Sequence, residues 1–339
     1  ITVATTSYEY RKVIHRYFDK TVPAELHFLR DFMVHDFGYR GDSSEESAVI
    51  SGMSHLTSFS GSDTVVALKG VADYYPLTRI SSEVMASVPA SEHSVMCSFG
   101  RNNELDAYRH MLQLYPTGLV SIVSDTYDIW QVLTEYAKVL KPQILARDGK
   151  VVFRPDSGVP ELIICGDPQA DPQSPAGKGC LRLLAEMFGT TMNSKGYLEL
   201  NPKVGLIYGD GMYLERYTKT LEMMEQMGFA ASNLVIGVGG ILRYHSRDTL
   251  GFAIKATNII VNGETRAIMK DPITDPGKRS HTGYLKLDHN PTTGQFTTTD
   301  NVTVPDEDSG FLQTVFTDGY IYNQEHDFMK IRQRVISSL

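Results

Sequence analysis

Short apolar runs alternate along the middle of the chain with longer segments whose apolar positions recur at helical spacing. Leu119–Val123 is a compact apolar run. The next apolar positions fall on one helix face, and they are Ile129, Val132, Leu133, Tyr136 and Leu140. This alternation predicts βα units arranged around a mostly parallel sheet.

The same pattern predicts further strands and a second amphipathic helix. The expected strands are Val151–Phe153, which follows a turn at Asp148-Gly149, and then 204–208, 234–236 and 252–261. Apolar residues from Leu214 to Met227 stripe a helix that Gly228 can close in a left-handed conformation. From Val302 onward, we expect strands and a short final helix.

Several of these predicted strands end in polar residues or glycines. The carboxylates Asp125, Asp156 and Asp210 follow three strands, and a glycine pair follows a fourth. A (β/α) barrel builds its active site from residues at the carboxyl ends of its strands. An open doubly wound sheet places ligands at the same ends. The pattern therefore favours an irregular α/β barrel with additional β structure, and the open sheet stays an alternative.

A barrel domain over residues 1–300 is the expected organisation, with strands and a helix at 301–339 returning to a second, partly missing domain. The segment at about 162–179 is rich in Pro, Gly and Asp, which predicts an inserted surface loop. The chain opens at Ile1 directly into residues that look strand-like. We therefore expect the complete protein to have a preceding segment.

Composition narrows the class of protein. The 339 residues are 42% hydrophobic and 21% charged, which suits a globular protein with a substantial core. No apolar run reaches membrane-spanning length and no signal-peptide pattern is present, so we expect a cytoplasmic protein without membrane contact. The net charge of -8 argues against non-specific nucleic-acid binding. The three cysteines lack CxxC spacing, which indicates neither a zinc knuckle nor a disulfide framework.

Glycines and carboxylates at the strand ends are candidates for contact with a phosphorylated sugar. The run 237–240 (GVGG) exposes backbone N–H groups that suit a phosphate, although such a run is as often a plain turn. Asp156, beside Arg154, and Asp210, between glycines, could hold ribose hydroxyls or the waters of Mg²⁺. They could equally form a structural ion pair and helix caps.

The segment 35–41 (HDFGYRG) combines a histidine, two aromatic residues and an arginine between glycines. Together with further motifs in the same order and spacing, it closely resembles the nicotinamide phosphoribosyltransferase family, whose members are type II phosphoribosyltransferases. Those motifs are 61–64 (GSDT), 87–94 (SVPASEHS), 123–125 (VSD), 154–158 (RPDSG), 209–211 (GDG), the glycine run through Arg247-Asp248, and 270–272 (KDP). The resemblance covers nearly the whole chain, while Tyr284 and the 162–179 insertion indicate a bacterial-type or phage-type member.

For the base, the resemblance implies that Phe37 stacks on the pyridine ring. Asp63 would accept a hydrogen bond from the carboxamide NH₂, and Ser121 and Arg154 would address the carboxamide oxygen or the ring. Nicotinic acid would instead bring a second carboxylate to Asp63, at a cost of about 4 kcal/mol for charges roughly 4 Å apart at an effective dielectric near 20. This favours nicotinamide as the base, with nicotinate phosphoribosyltransferase as the nearest alternative.

For the donor, phosphoribosyl pyrophosphate, the resemblance implies one set of residues at the 5′-phosphate and another at the ribose. The phosphate set is Arg40 with the backbone of Gly209, Gly239 and Gly240, and the ribose set is Asp156 and Asp210. Basic positions that match a pyrophosphate grip are Arg247, Lys255, Lys270 and Lys278, although each alone would be interpreted as a solvated surface charge. Mg²⁺ would be the cofactor, held mainly through the pyrophosphate.

The resemblance also implies that ATP, as a facultative co-substrate, phosphorylates His93. Glu92 or Asp125 would orient the imidazole, although a lone histidine is more often structural. The family implies a homodimer with shared active sites, in which the neighbouring subunit's N-terminal part covers the base with an aromatic ring. A non-catalytic nucleotide-binding barrel stays open, as does an aldolase or isomerase that uses Lys255, on a predicted strand, as a Schiff-base lysine.

Overall fold

The computed structural model describes residues 1–246, 248–303, 309–322 and 324–339. The chain forms two compact units, Ile1–His245 with His326–Leu339, and Ser246–Glu325. The sequence places a boundary at residue 300, whereas these units divide the chain at 245/246 and 325/326. The final helix belongs to the first unit because the buried guanidinium of Arg332 donates to backbone carbonyls of that unit, including those of Leu56 and Val84.

A sheet of five parallel strands forms the centre of the first unit. Its spatial order is β1-β7-β6-β3-β2, and its strands supply buried residues such as Ile122, Phe153 and Ile236. The strands of this unit are β1 (Val34–Asp36), β2 (Thr117–Val123), β3 (Asp148–Arg154), β4 (Thr190–Met192), β5 (Leu198–Leu200), β6 (Val204–Tyr208) and β7 (Leu234–Val238), with β4 and β5 forming a separate antiparallel pair.

Two irregular segments close this sheet into a ring. Residues 60–62 lie beside β1, residues 86–90 lie beside β2, and the two segments also pair with each other. Because the strand order thus returns from β2 to β1, the irregular α/β barrel is confirmed and the open sheet is excluded. The parallel bridges that close the ring are Asp36 to Ser62, Gly61 to Ala86 and Ala90 to Ser121.

The first unit also contains α-helices. They are α1 (Thr2–Thr21), α2 (Glu45–Leu56), α3 (Ala67–Tyr74), α4 (His93–Ser98), α5 (Glu104–Leu114), α6 (Ile129–Gln131), α7 (Ala137–Ala146), α8 (Pro160–Cys165), α9 (Pro175–Phe188), α10 (Leu214–Gln226) and α11 (Phe328–Ile336). The strand-like interpretation of the first residues was wrong. They begin α1, because Tyr10, Ile14 and Tyr17 recur at helical spacing and are buried.

Most predicted elements of the barrel are present, with local differences. Strand β6 has the predicted bounds, and Gly228 closes α10 at a φ of 80°. The predicted turn at Asp148-Gly149 is wrong, because both residues belong to β3 and pair with residues of β2. The inserted loop is shorter than 162–179, since α8 and α9 occupy its ends and leave 166–174 between them.

Short antiparallel pairs make up the second unit. They are β8 (Asn258–Val261) with β9 (Glu264–Ala267), β10 (Lys286–His289) with β11 (Phe296–Thr299), and β12 (Phe316–Thr317) with β13 (Tyr320–Ile321). The strand predicted at 252–261 covers only its last four residues, because the preceding segment is irregular and exposed. None of the described helices is both long enough and apolar enough to cross a membrane.

Candidate active site

A cavity of about 790 Å³ opens at the carboxyl ends of the barrel strands. It collects residues from the loop after β1, the end of β3 and the turns that follow β6 and β7, which are far apart in the sequence. Of the residues predicted for the site, those that line this cavity are Phe37, Arg40, Asp63, His93, Arg154, Asp156, Gly209, Asp210, Gly239 and Gly240.

Phe37 lies directly on the backbone of the neighbouring strands. A Cβ at Gly237 would lie 2.0 Å from Cε2 of the Phe37 ring, and a Cβ at Gly209 would lie 3.6 Å from the same atom. The backbone N–H of Phe37 donates to the carbonyl of Val238 at 3.0 Å, which continues the β1–β7 pairing. The glycines therefore provide the space in which a flat aromatic ring is held at the cavity wall.

Asp63 is held in place by hydrogen bonding and charge. The hydroxyl of Ser87 donates to Asp63 Oδ1 at 2.5 Å, and His35 Nδ1 lies 3.9 Å from the same oxygen. Burial raises the pKa of Asp63, but the interaction with His35, the hydrogen bond from Ser87 and the charge of Arg154 outweigh burial, so the pKa lies below its ordinary value. Asp63 is therefore an ionised hydrogen-bond acceptor at neutral pH.

Ser121 lines a second, more apolar cavity of about 510 Å³. This cavity lies inside the barrel, between inward-facing residues such as Val152 and Ile207, and it shares Phe37, Asp63 and Arg154 with the first. Ser121, Phe37, Asp63 and Arg154 thus lie around one connected space, as a pyridine-binding site requires.

Acidic and basic side chains lie together in the first cavity. Burial raises the pKa of Asp156, and the charges of Asp125 and Asp210 raise it further against the opposing effect of Arg154 and His93. Arg154 is buried, its Nη2 lies 3.6 Å from Glu92 Oε1, and its Nε has no hydrogen-bond partner within the described residues. Such unsatisfied groups favour a ligand that brings hydroxyls and anionic oxygens.

His93 begins α4 and lies at the edge of the same cavity. Its Nε2 is 3.1 Å from Asp125 Oδ1, and its side chain is 40% exposed whereas that of Asp125 is 7% exposed. Of the two carboxylates expected to orient the ring, Asp125 makes this contact, while Glu92 lies near Arg154 instead. A buried carboxylate behind an accessible imidazole leaves the other ring nitrogen, Nδ1, as the atom available for reaction.

Residues 32–318 match the nicotinate phosphoribosyltransferase (NAPRTase) family. The chain belongs to this family.

Curated relatives carry a more specific name. The chain is 44% identical, over its whole length, to the nicotinamide phosphoribosyltransferase of Acinetobacter baylyi, and the match covers 67% of that protein. It is 40% identical to the Mycoplasma pneumoniae protein of the same name and 39% identical to that of Xanthomonas campestris pv. campestris. These matches cover 82% and 87% of the chain, and 58% and 60% of the two relatives. The chain therefore spans about three fifths to two thirds of the length of the relatives.

Three of the basic residues predicted to bind pyrophosphate, Lys255, Lys270 and Lys278, lie in the second unit. Lys255 Nζ lies 3.5 Å from the carbonyl oxygen of Lys278, and Lys278 pairs with Asp275 at 2.9 Å. The backbone N–H of Lys270 donates to the hydroxyl of Ser280. Arg247 lies outside the described residues. The pyrophosphate role of these residues stays a prediction.

The aldolase or isomerase alternative is not supported by the position of its lysine. A Schiff-base lysine needs a buried position that lowers its pKa. Lys255 is exposed and lies in an irregular segment that precedes β8, not on a strand.

Some cavity residues were missed by sequence reasoning. Tyr39, Tyr213 and Tyr244 line the first cavity, and the ring of Tyr244 lies over Gly240, whose added Cβ would be 3.0 Å from it. His35 and Ser87 support Asp63 from behind. Each of these residues is within or next to a motif that carries the family resemblance, and this proximity is the only signal that could have pointed to them.

Proposed function

We propose that the chain transfers the phosphoribosyl group of phosphoribosyl pyrophosphate to nicotinamide, giving nicotinamide mononucleotide and pyrophosphate in NAD salvage. The observation that carries this proposal is the convergence of Phe37, Asp63 and Arg154 on one connected space at the carboxyl end of the barrel. The names of the curated relatives support the same reaction.

Asp63 favours nicotinamide over nicotinate as the base. Its carboxylate is ionised at neutral pH and can accept a hydrogen bond from the carboxamide NH₂. Nicotinate would place a like charge beside it. The family description names nicotinate, whereas the relatives are named for nicotinamide. The charge of Asp63 supports nicotinamide as the base.

The chemistry requires positioning and charge stabilisation more than proton transfer, because the pyridine nitrogen is already a free nucleophile. Phe37 holds the ring in line with the ribose carbon, Asp156 and Asp210 hold the ribose hydroxyls, and Arg40 with the glycine N–H groups binds the 5′-phosphate. As the bond to pyrophosphate breaks, positive charge develops on the sugar and negative charge on the leaving group.

Mg²⁺ fits this site as an ion carried by the substrate. Clusters of three or more His, Cys, Asp or Glu side chains able to hold a metal are absent from the described residues, but Asp156 and Asp210 both face the cavity and can bind metal-bound waters. Bound there, Mg²⁺ would neutralise the charge of the leaving pyrophosphate.

ATP is proposed as a facultative co-substrate that phosphorylates His93. The contact with Asp125 supports this role, because a carboxylate at one ring nitrogen makes the other more nucleophilic. The homodimer with shared active sites and the cytoplasmic location stay predictions from the sequence.

The test is to incubate the purified protein with nicotinamide, phosphoribosyl pyrophosphate and Mg²⁺ and to measure nicotinamide mononucleotide and pyrophosphate. Equal formation of both products supports the proposal. Calorimetric binding of nicotinamide mononucleotide without pyrophosphate release would instead indicate a non-catalytic nucleotide-binding barrel. Faster turnover of nicotinic acid would indicate a nicotinate phosphoribosyltransferase.

A further inference from the structure

A buried arginine joins two carboxylates beside the active-site cavity. Arg243 Nη2 lies 2.8 Å from Asp36 Oδ2 and 3.1 Å from Asp36 Oδ1, while Arg243 Nε lies 2.5 Å from Asp42 Oδ2. The side chains of Arg243, Asp36 and Asp42 are 2%, 0% and 5% exposed. Arg243 lies 201 positions from Asp42 and 207 from Asp36 in the sequence, so this contact joins two distant parts of the chain.

One of these parts is the loop that carries Phe37 and Arg40. Asp36 ends β1 and also accepts the N–H of Gly38 at 2.8 Å. Asp42 follows the turn Tyr39–Gly41, and the hydroxyl of Ser47 in α2 donates to it at 3.0 Å. Both ends of the loop are therefore bound to the same guanidinium group.

The other part is the turn that contains Gly239 and Gly240. Arg243 lies at the end of this turn, and its N–H donates to the carbonyl of Gly240 at 2.7 Å. The loop also wraps closely around the arginine side chain, since a Cβ at Gly38 would lie 2.7 Å from Arg243 Cζ.

Stability alone is a weak explanation for this arrangement. Burying three charged groups carries a large desolvation cost, and buried ion pairs are often no more stabilising than apolar residues of similar size. The planar fork of an arginine does, however, fix two carboxylates in one relative geometry.

We propose that Arg243 is a positioning residue, which holds Arg40 and the N–H groups of Gly239 and Gly240 at the separation needed to bind one phosphate. This inference rests on the proposed function, because it assigns the phosphate to the donor. The base-binding side has separate support, since the backbone of Phe37 pairs with Val238. Loss of the Arg243 fork should therefore act on the donor and leave the base largely unaffected.

The test uses Arg243→Lys, which keeps the charge but cannot engage both carboxylates as a fork. We expect the KM for phosphoribosyl pyrophosphate and the Kd for nicotinamide mononucleotide to rise about tenfold, with the KM for nicotinamide changed by less than about twofold. Asp42→Asn, which weakens one arm of the fork, should shift the donor KM in the same direction by less.

Arg147→Lys is the matched control. Arg147 is also a buried arginine, but it donates to the carbonyls of Tyr115, Thr117 and Gly118 at the opposite end of the barrel. If Arg243 had a purely structural role, both lysine variants would behave in the same way. The Tm of each would fall, and the KM values for phosphoribosyl pyrophosphate and for nicotinamide would change together. That result, or an unchanged donor KM in Arg243→Lys, would overturn the inference.

Binding of two related compounds separates this inference from the proposed function. Nicotinamide riboside lacks the 5′-phosphate of nicotinamide mononucleotide, so Arg243→Lys should weaken binding of the nucleotide and leave binding of the riboside unchanged. A wild-type protein that binds the nucleotide but forms no product would contradict the proposed function alone. Equal weakening for both compounds would contradict the role of Arg243 alone.

Discussion

The two ends of the barrel use their polar residues in opposite ways. At the amino end, Arg147 donates to three carbonyls around the start of β2. Nearby, the Asn233 amide donates to the carbonyls of Leu198 and Ala230 and accepts the N–H of Leu200. These side chains are bonded to the backbone of the chain itself.

At the carboxyl end, polar side chains face a cavity. Asp63, Arg154 and Asp156 line it, and Arg154 Nε has no partner among the described residues. The mutual repulsion of Asp156, Asp125 and Asp210 contributes to the raised pKa of Asp156. The difference shows that these polar groups of the amino end hold the fold, whereas those that line the cavity at the carboxyl end stay available for a ligand.

A glycine substitution beside Phe37 tests this contrast with the largest expected effect. Gly237→Ala places a methyl group 2.0 Å from the Phe37 ring and must displace it. Because a displacement of about 1 Å near the chemistry can cost about a hundredfold, we expect kcat/KM for nicotinamide to fall by about that factor.

Gly205→Ala is the matched control on the neighbouring strand, nearer the amino end. Its added Cβ meets the flexible Lys150 side chain at 3.2 Å, so kcat/KM should change by less than about threefold. Equal losses in the two variants, measured at saturating donor, would contradict the special role of the Phe37 position.

A smaller effect is expected at His93. His93→Ala should abolish any stimulation of the rate by ATP while changing the ATP-independent rate by less than about threefold. Steady-state rates with and without ATP provide the measurement. His110→Ala removes an exposed histidine that packs against Phe99, and it should keep the stimulation. Persistence of the ATP effect in His93→Ala would exclude the phosphohistidine.

The smallest effect concerns stability at the carboxyl end. Burial raises the pKa of Glu104 to about 7, the charges of Asp128 and Asp125 add to this, and Arg101 opposes it. The pKa of Glu104 is higher in the folded state than in the unfolded state. Its contribution to the free energy of unfolding is therefore fully present below its ordinary pKa near 4.5 and is lost as the pH rises through about 7.

Glu104→Gln should therefore stabilise the protein by about 2 kcal/mol at pH 8 and have little effect at pH 5. Urea unfolding at both pH values measures this difference. Asp106→Asn, at an exposed position of the same helix, is the control and should show no such dependence on pH. A variant less stable than wild type at pH 8 would contradict the account.

Much of the barrel was predictable because its regular strands are apolar runs. Strands β2, β3, β6 and β7 follow this pattern, and their polar ends indicated the site. The segments 60–62 and 86–90 were not predictable, because they are short, contain polar residues and pair through single bridges. Helix α1 was missed because its β-branched and aromatic residues look strand-like until their spacing is considered.

The candidate site was predictable only in part. The residues Phe37, Asp63 and Arg154 were found through the family resemblance, whereas composition and spacing alone left their roles open. The pairing of Arg243 with Asp36 and Asp42 could not be predicted from one sequence, since nothing local marks a contact between residues so far apart along the chain.

The most direct test of the central claim compares kcat/KM for nicotinamide and nicotinic acid in the wild-type protein and in Asp63→Asn. We expect a strong preference for nicotinamide in the wild type, and a fall in this preference of about a hundredfold or more when the charge is removed. A wild-type preference for nicotinic acid, or a preference unchanged in Asp63→Asn, would contradict this claim.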